Sequence, residues 1–148
     1  MISKREWHQD RILWRLSRHN KQSAITSSLW ASFKNENEDA AKYIRDHIGE
    51  ESEPILAYWR NENRWTALTA AELFSVVDGE TTIILLDEIQ KCFSPKWTTS
   101  ISRKGDLEFL FVGPTKQQIW APPGARYFAL WNVLLMFPLN VPEDSRDE

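Results

Sequence analysis

The chain has 148 residues, 42% of them hydrophobic and 26% charged, with 18 Lys/Arg against 21 Asp/Glu for a formal net charge of −3. That length suits one domain, or a small domain with an appendage, because a chain of about 150 residues buries roughly two thirds of its unfolded surface. The acidic balance argues against a dedicated nucleic-acid binder, and no run approaches the roughly 18 apolar residues that a bilayer span needs.

Met1 to His8 turn polar at once, without the apolar core of a secretory signal, and the single Cys92 permits no internal disulfide. Both observations lead to the expectation of a reducing cytoplasm. Cys92 has no neighbouring His and no metal-ligand spacing, so a small buried apolar role is expected for it. Eight tryptophans are many for this length. They offer large contact areas for a core or for the anchors of an interface.

Ser3-Lys4-Arg5-Glu6 has the form of a capping box, with Ile2 and Trp7 placed as a hydrophobic staple, so a helix is expected from there to His19-Asn20. At 100° per residue, Lys4, Arg11, Arg15 and Arg18 share a basic face flanked by Trp7 and Trp14, and Ile12, Leu13 and Leu16 lie opposite. Ile25, Leu29, Trp30 and Phe33 predict a second helix stopped by Asn35-Glu36-Asn37-Glu38. Ala40, Ala41, Ile44 and Ile48 predict a third that ends at Gly49, with a linker at Glu50 to Pro54.

From Pro54 the period changes to two. Ile55–Arg60 and Arg64–Thr69 read as a hairpin about Asn61-Glu62-Asn63. Leu73–Val77 and Thr81–Leu86 read as another about Asp78-Gly79, a dipeptide suited to positive backbone angles. Further strands are expected at Trp97–Ile101, Leu107–Val112 and Gln117–Trp120, which makes about seven. Pro122-Pro123-Gly124 ends the sheet, and Ala125–Phe137 reads as a terminal helix with Phe128, Trp131, Leu134 and Leu135 buried, stopped by Pro138. The fold class is therefore α+β: N-terminal helices in 1–53, an antiparallel roll with its helix in 54–138, and an acidic flexible tail in 139–148.

Seven antiparallel strands followed by one helix resemble a pleckstrin-homology-like domain. Trp65-Thr66-Ala67-Leu68-Thr69, the strand Leu73–Val77, a turn, the strand Thr82–Leu86 and then Asp87-Glu88-Ile89 resemble the bacterial pattern of "yxxLT", "rL", a strand and "l-x-x-I". In lipid-binding members of that family, basic residues of the first hairpin loop hold phosphates. The matching positions here are Arg60 and Arg64, with Glu62 between them, a departure from that pattern.

No nucleophile, His and acid stand in a catalytic arrangement, and neither G-x-x-x-x-G-K-[ST] nor G-x-G-x-x-G occurs. His8 and His19 are eleven apart, which is not metal spacing, so a surface or capping role is expected for them. No catalytic residue, metal or cofactor is expected. The leading expectation is a non-catalytic protein-binding domain, similar in type to immunity proteins that neutralise a bacterial toxin by occluding its active site. Glu50, Glu51, Glu53, Asp78 and Glu80 would steer a basic partner, with Trp59 or Trp97 as anchors. The alternative is a peripheral phospholipid-binding domain that uses Lys4, Arg11, Arg15, Arg18, Arg60 and Arg64.

Overall fold

A computed structural model describes residues 3–17, 27–49, 53–89, 92–93, 107–113 and 115–137. Four helices carry the labels α1 (Lys4–Ser17), α2 (Trp30–Glu36), α3 (Glu38–Ile48) and α4 (Ala125–Leu134). The strands β1 (Leu56–Asn61), β2 (Arg64–Leu68), β3 (Glu72–Val77) and β4 (Glu80–Leu85) form one antiparallel sheet in sequence order. A second, three-stranded antiparallel sheet runs β5 (Cys92–Phe93), β6 (Phe109–Val112) and β7 (Gln117–Trp120). The fold is thus α+β. The segment expected as a strand at Trp97–Ile101 lies outside the described residues, and β5 lies just before it.

Side-chain alternation divides the four-stranded sheet into two faces. Ala57, Trp65, Ala67, Phe74 and Val76 join Trp30, Phe33, Ala40, Ala41 and Ile44 of α2 and α3 in one buried cluster. Leu56, Tyr58, Leu68, Leu73 and Ile84 point the other way, toward Ile12 and Leu16 of α1, β6, β7 and the apolar face of α4. Both clusters mix helices with strands, so the helices of residues 4–48 have no separate core. Among the described residues, no helix is long and apolar enough to cross a membrane.

Local chemistry explains the elements. The Glu6 amide donates to Ser3 Oγ at 3.1 Å, which satisfies one of the open donors at the start of α1. Asn37 separates α2 from α3 at φ −135°, ψ 62°. It alone breaks the helix, because Glu38 already opens α3. Glu38 and Asp39 sit in the first turn of α3, where the helix dipole favours negative charge. Gly49, at φ 90°, ends that helix with its amide on the Arg45 carbonyl at 2.9 Å. Asp78 and Gly79 both take positive φ, 52° and 81°, so the β3–β4 turn is the two-residue type that matches strand twist.

Two expectations about helix faces are corrected. Leu13 is 39% exposed, whereas His8 is 2% exposed and shares the inner stripe with Ile12 and Leu16. The His8 Nδ1–H donates to the Ala70 carbonyl at 2.9 Å, so this histidine is internal and not a surface or capping residue. On α4 the buried positions are Tyr127, Ala129, Leu130, Val133 and Leu134, while Leu135 is 55% exposed. The helix is rotated from the expected stripe by two anchors. Tyr58 donates its hydroxyl to the Arg126 carbonyl at 2.7 Å, and Tyr127 donates to the Phe109 carbonyl at 3.0 Å.

Three buried polar groups join the two sheets. Thr66 Oγ1 lies 2.6 Å from the Trp120 carbonyl and must donate to it, since a carbonyl only accepts. Having given its one proton, Thr66 accepts from Ser75 Oγ at 2.9 Å, and Ser75 in turn accepts from the Trp120 amide at 3.1 Å. Thr66→Val strands the Trp120 carbonyl and the Ser75 hydroxyl in the core, and an unmet buried group costs on the order of 2 kcal/mol. Urea titration should show a lower midpoint with an unchanged slope; an unchanged midpoint would refute the assignment.

Candidate functional site

The break at Asn37 brings the end of α2 and the start of α3 over Trp59, at the far end of β1. An open groove of about 470 Å³ results, with Trp59 beneath Glu36, Glu38, Asp39 and Asn35. Trp59 is partly buried and meets Tyr43 of α3 edge-on, with ring centroids 5.6 Å apart. Tyr43 stacks on His47 at 4.3 Å and approaches the buried Trp65, so the indole rests on a packed aromatic platform. Glu36, Glu38 and Asp39 are exposed. Among the described residues none of them has an ion-pair partner. Beyond Glu38 the next depression mixes in Lys34 and Arg45, so the acidic character belongs to the Trp59 side.

The other residues singled out in the sequence are scattered. Glu50, Glu51, Trp97 and Arg18 lie outside the described residues. Glu53 precedes β1 and pairs with Lys34 at 3.7 Å. Asp78 and Glu80 lie at the same end of the sheet as Trp59 but across it, at the β3–β4 turn, since Trp59 pairs with Trp65, Trp65 with Val76 and Val76 with Thr81. The structure does not bring Glu53 together with Asp78 and Glu80. Trp59 does face an acidic rim, formed by residues that read in the sequence only as a helix stop.

Lys4, Arg11, Arg60 and Arg64 already have carboxylates. Arg64 donates to Asp78 at 3.0 Å and stands 3.9 Å from Glu108, and Arg60 stands 3.8 Å from the same Glu108. Lys4 is paired with Asp87 of the turn after β4. Arg11 pairs with Asp10 at 3.1 Å and lies over the rings of both Trp7 and Trp14. Arg15 is half-buried. These exposed pairs add little stability but leave the side chains neutralised where they stand.

The reactive groups are muted. Burial pushes the Cys92 thiol up to about 12, so near neutral pH it is a protonated thiol and a poor nucleophile. Burial likewise raises the Tyr58 phenol well above its ordinary value, opposed by the nearby Arg126 charge. His47 is exposed, with Nδ1–H on the Tyr43 carbonyl, and stands apart from His8. Among the described residues, no three His, Cys, Asp or Glu side chains group as a metal site would require.

Both raised groups are neutral when protonated, and the folded chain holds their protons more tightly than the unfolded one. The unfolded state therefore ionises first, and stability must fall as pH rises past the ordinary values of 9.0 for Cys and 10.0 for Tyr. Urea midpoints measured across the alkaline range should show that decline, and Tyr58→Phe should lessen it. A curve unaltered by that substitution would contradict the placement of Tyr58. No family model matches the chain, and no curated protein or solved structure matches it either.

Proposed function

We propose that this chain is a non-catalytic binding protein whose acidic groove receives a basic segment of a protein partner, with Trp59 as the anchor. The observation that carries this reading is the pairing of a partly covered indole with Glu36, Glu38 and Asp39, none matched by a cation among the described residues. A lysine or arginine from a partner gains a ring face and carboxylates at once, the combination that makes tryptophan-centred hot spots. The carboxylates also speed encounter with a basic surface. The partner class that fits is a toxin domain with a cationic, substrate-binding cleft, which makes the chain an immunity protein acting by occlusion in the cytoplasm.

We further read residues 54–138 as a pleckstrin-homology-like roll. The reading is supported by the order of a four-stranded sheet, a three-stranded sheet and then a helix, and by Thr69, whose hydroxyl accepts from the Ala71 and Glu72 amides to hold the turn where the resemblance places a threonine. Phosphoinositide binding at the first hairpin is disfavoured, because Arg60 and Arg64 are held by Glu108 and Asp78.

The test is co-expression with toxin domains of that class, beginning with any whose gene adjoins this reading frame. The intact chain should protect the cells, while Trp59→Ala and the charge reversal Asp39→Lys should each weaken toxin binding by about tenfold or more with folding intact by circular dichroism. Failure of the intact chain to protect, or binding insensitive to both substitutions, would reject the reading. So would salt-sensitive sedimentation of the isolated protein with anionic vesicles.

A further inference from the structure

The two edges of the four-stranded sheet differ. At β1, Leu29 forms a bridge with Leu56, and the Trp30 amide donates to the Ile55 carbonyl at 2.9 Å, so part of that edge is covered. At β4 no described residue takes that role. The hairpin geometry fixes which backbone groups are left open. In a two-residue turn of this type the flanking pair, Val77 and Glu80, exchange hydrogen bonds, and the pattern then alternates. Glu80, Thr82 and Ile84 face β3, and the Leu86 amide continues the series by donating to the Ala71 carbonyl at 3.0 Å. Thr81, Ile83 and Leu85 therefore direct their amides and carbonyls outward.

The same residues present their side chains on the face shared with α2 and α3, beyond the cover of those helices. Ile83 is 53% exposed and Leu85 45%. The strand carries no lysine, proline or bulge, the usual guards of an open edge. A straight, β-branched, apolar edge of this kind is a template for pairing.

We propose that β4 pairs with β4 of a second copy of this chain, antiparallel about a two-fold axis at Ile83. The pattern is self-complementary. Ile83 meets Ile83 of the second copy, and Thr81 meets Leu85, so all the outward-facing groups of one strand find those of the other and the two sheets become one. Charge agrees with that register. Glu80 falls opposite Leu86 of the second copy, beside the recess lined by Leu85, Lys4, Arg5 and Asp87, where Lys4 pairs with Asp87 and Arg5 adds a further positive charge. Glu80 thus meets a recess with an excess of positive charge twice in the dimer. Asp78, held by Arg64, and Glu88 lie beyond the paired segment. This surface is separate from the groove at Trp59.

Sedimentation equilibrium of the intact chain tests the proposal. A reversible dimer is expected, with Ile83→Lys weakening it by about tenfold or more through like charges facing each other at the axis. Ile83→Pro, which removes only an outward amide, should abolish it. Glu80→Arg should weaken the dimer, and adding Arg5→Glu should restore it, an outcome that a folding defect would not produce. A chain that stays monomeric at the highest soluble concentration, a dimer indifferent to Ile83→Lys, or a monomer that captures a short extended peptide along Thr81–Leu85 would each overturn the assignment.

Discussion

Everything in this molecule depends on strands β1 to β3 being buried on both faces. A strand in that position cannot alternate apolar with polar; it must alternate between two apolar surroundings. Ala57, Trp65, Ala67, Phe74 and Val76 supply one and Leu56, Tyr58, Leu68 and Leu73 the other. The hydroxyls admitted, those of Thr66, Ser75 and Thr69, are all satisfied by hydrogen bonds. The consequence is that α2 and α3 are as much part of the core as α4, although they precede the first strand. Helical cover on one face and the second sheet with α4 on the other hold the four-stranded sheet as the middle layer.

That constraint also decides where chemistry can be presented. Side chains inside the layers are committed to packing, and even Tyr58 and Cys92 are held protonated by burial. What is left for recognition is the perimeter. The junction of α2 and α3 overhangs Trp59 there, and β4 leaves its edge and two large apolar side chains outside the helical cover. Lys4, Arg11, Lys34, Lys42, Arg60 and Arg64 are matched to carboxylates, whereas Glu36, Glu38 and Asp39 have no ion-pair partner among the described residues. The contrast gives the molecule an acidic side without a large net charge.

Much of the fold was legible. Asp78-Gly79 announced its turn because so few dipeptides accept two positive φ angles, and the capping serine and Gly49 marked helix ends through the same local chemistry. Features set by tertiary packing were less readable. His8 stands four residues before Ile12 and eight before Leu16, a spacing that places it on the inner stripe. Its polarity argued for the surface, and only the Ala70 carbonyl, far along the chain, makes its burial tolerable. On α4 nearly every residue is apolar, so no pattern could select Tyr127 and Leu130 over Phe128 and Leu135. For the site, Trp59 could be singled out as an aromatic at a strand end. Its acidic neighbours could not, because Asn35-Glu36-Asn37-Glu38 carries the signature of a helix stop, and that stop is what folds the carboxylates over the indole.

The helices before the first strand and the sheet form one cooperative unit. Native-state hydrogen exchange over increasing denaturant measures it directly, by comparing the amides of Ala41 and Ile44 in α3 with those of Trp65 and Phe74 in the sheet. Both sets are expected to exchange through the same opening, with one free energy and one denaturant slope. Amides of α3 that exchange through a separate, lower-energy opening while the strands stay protected would contradict it.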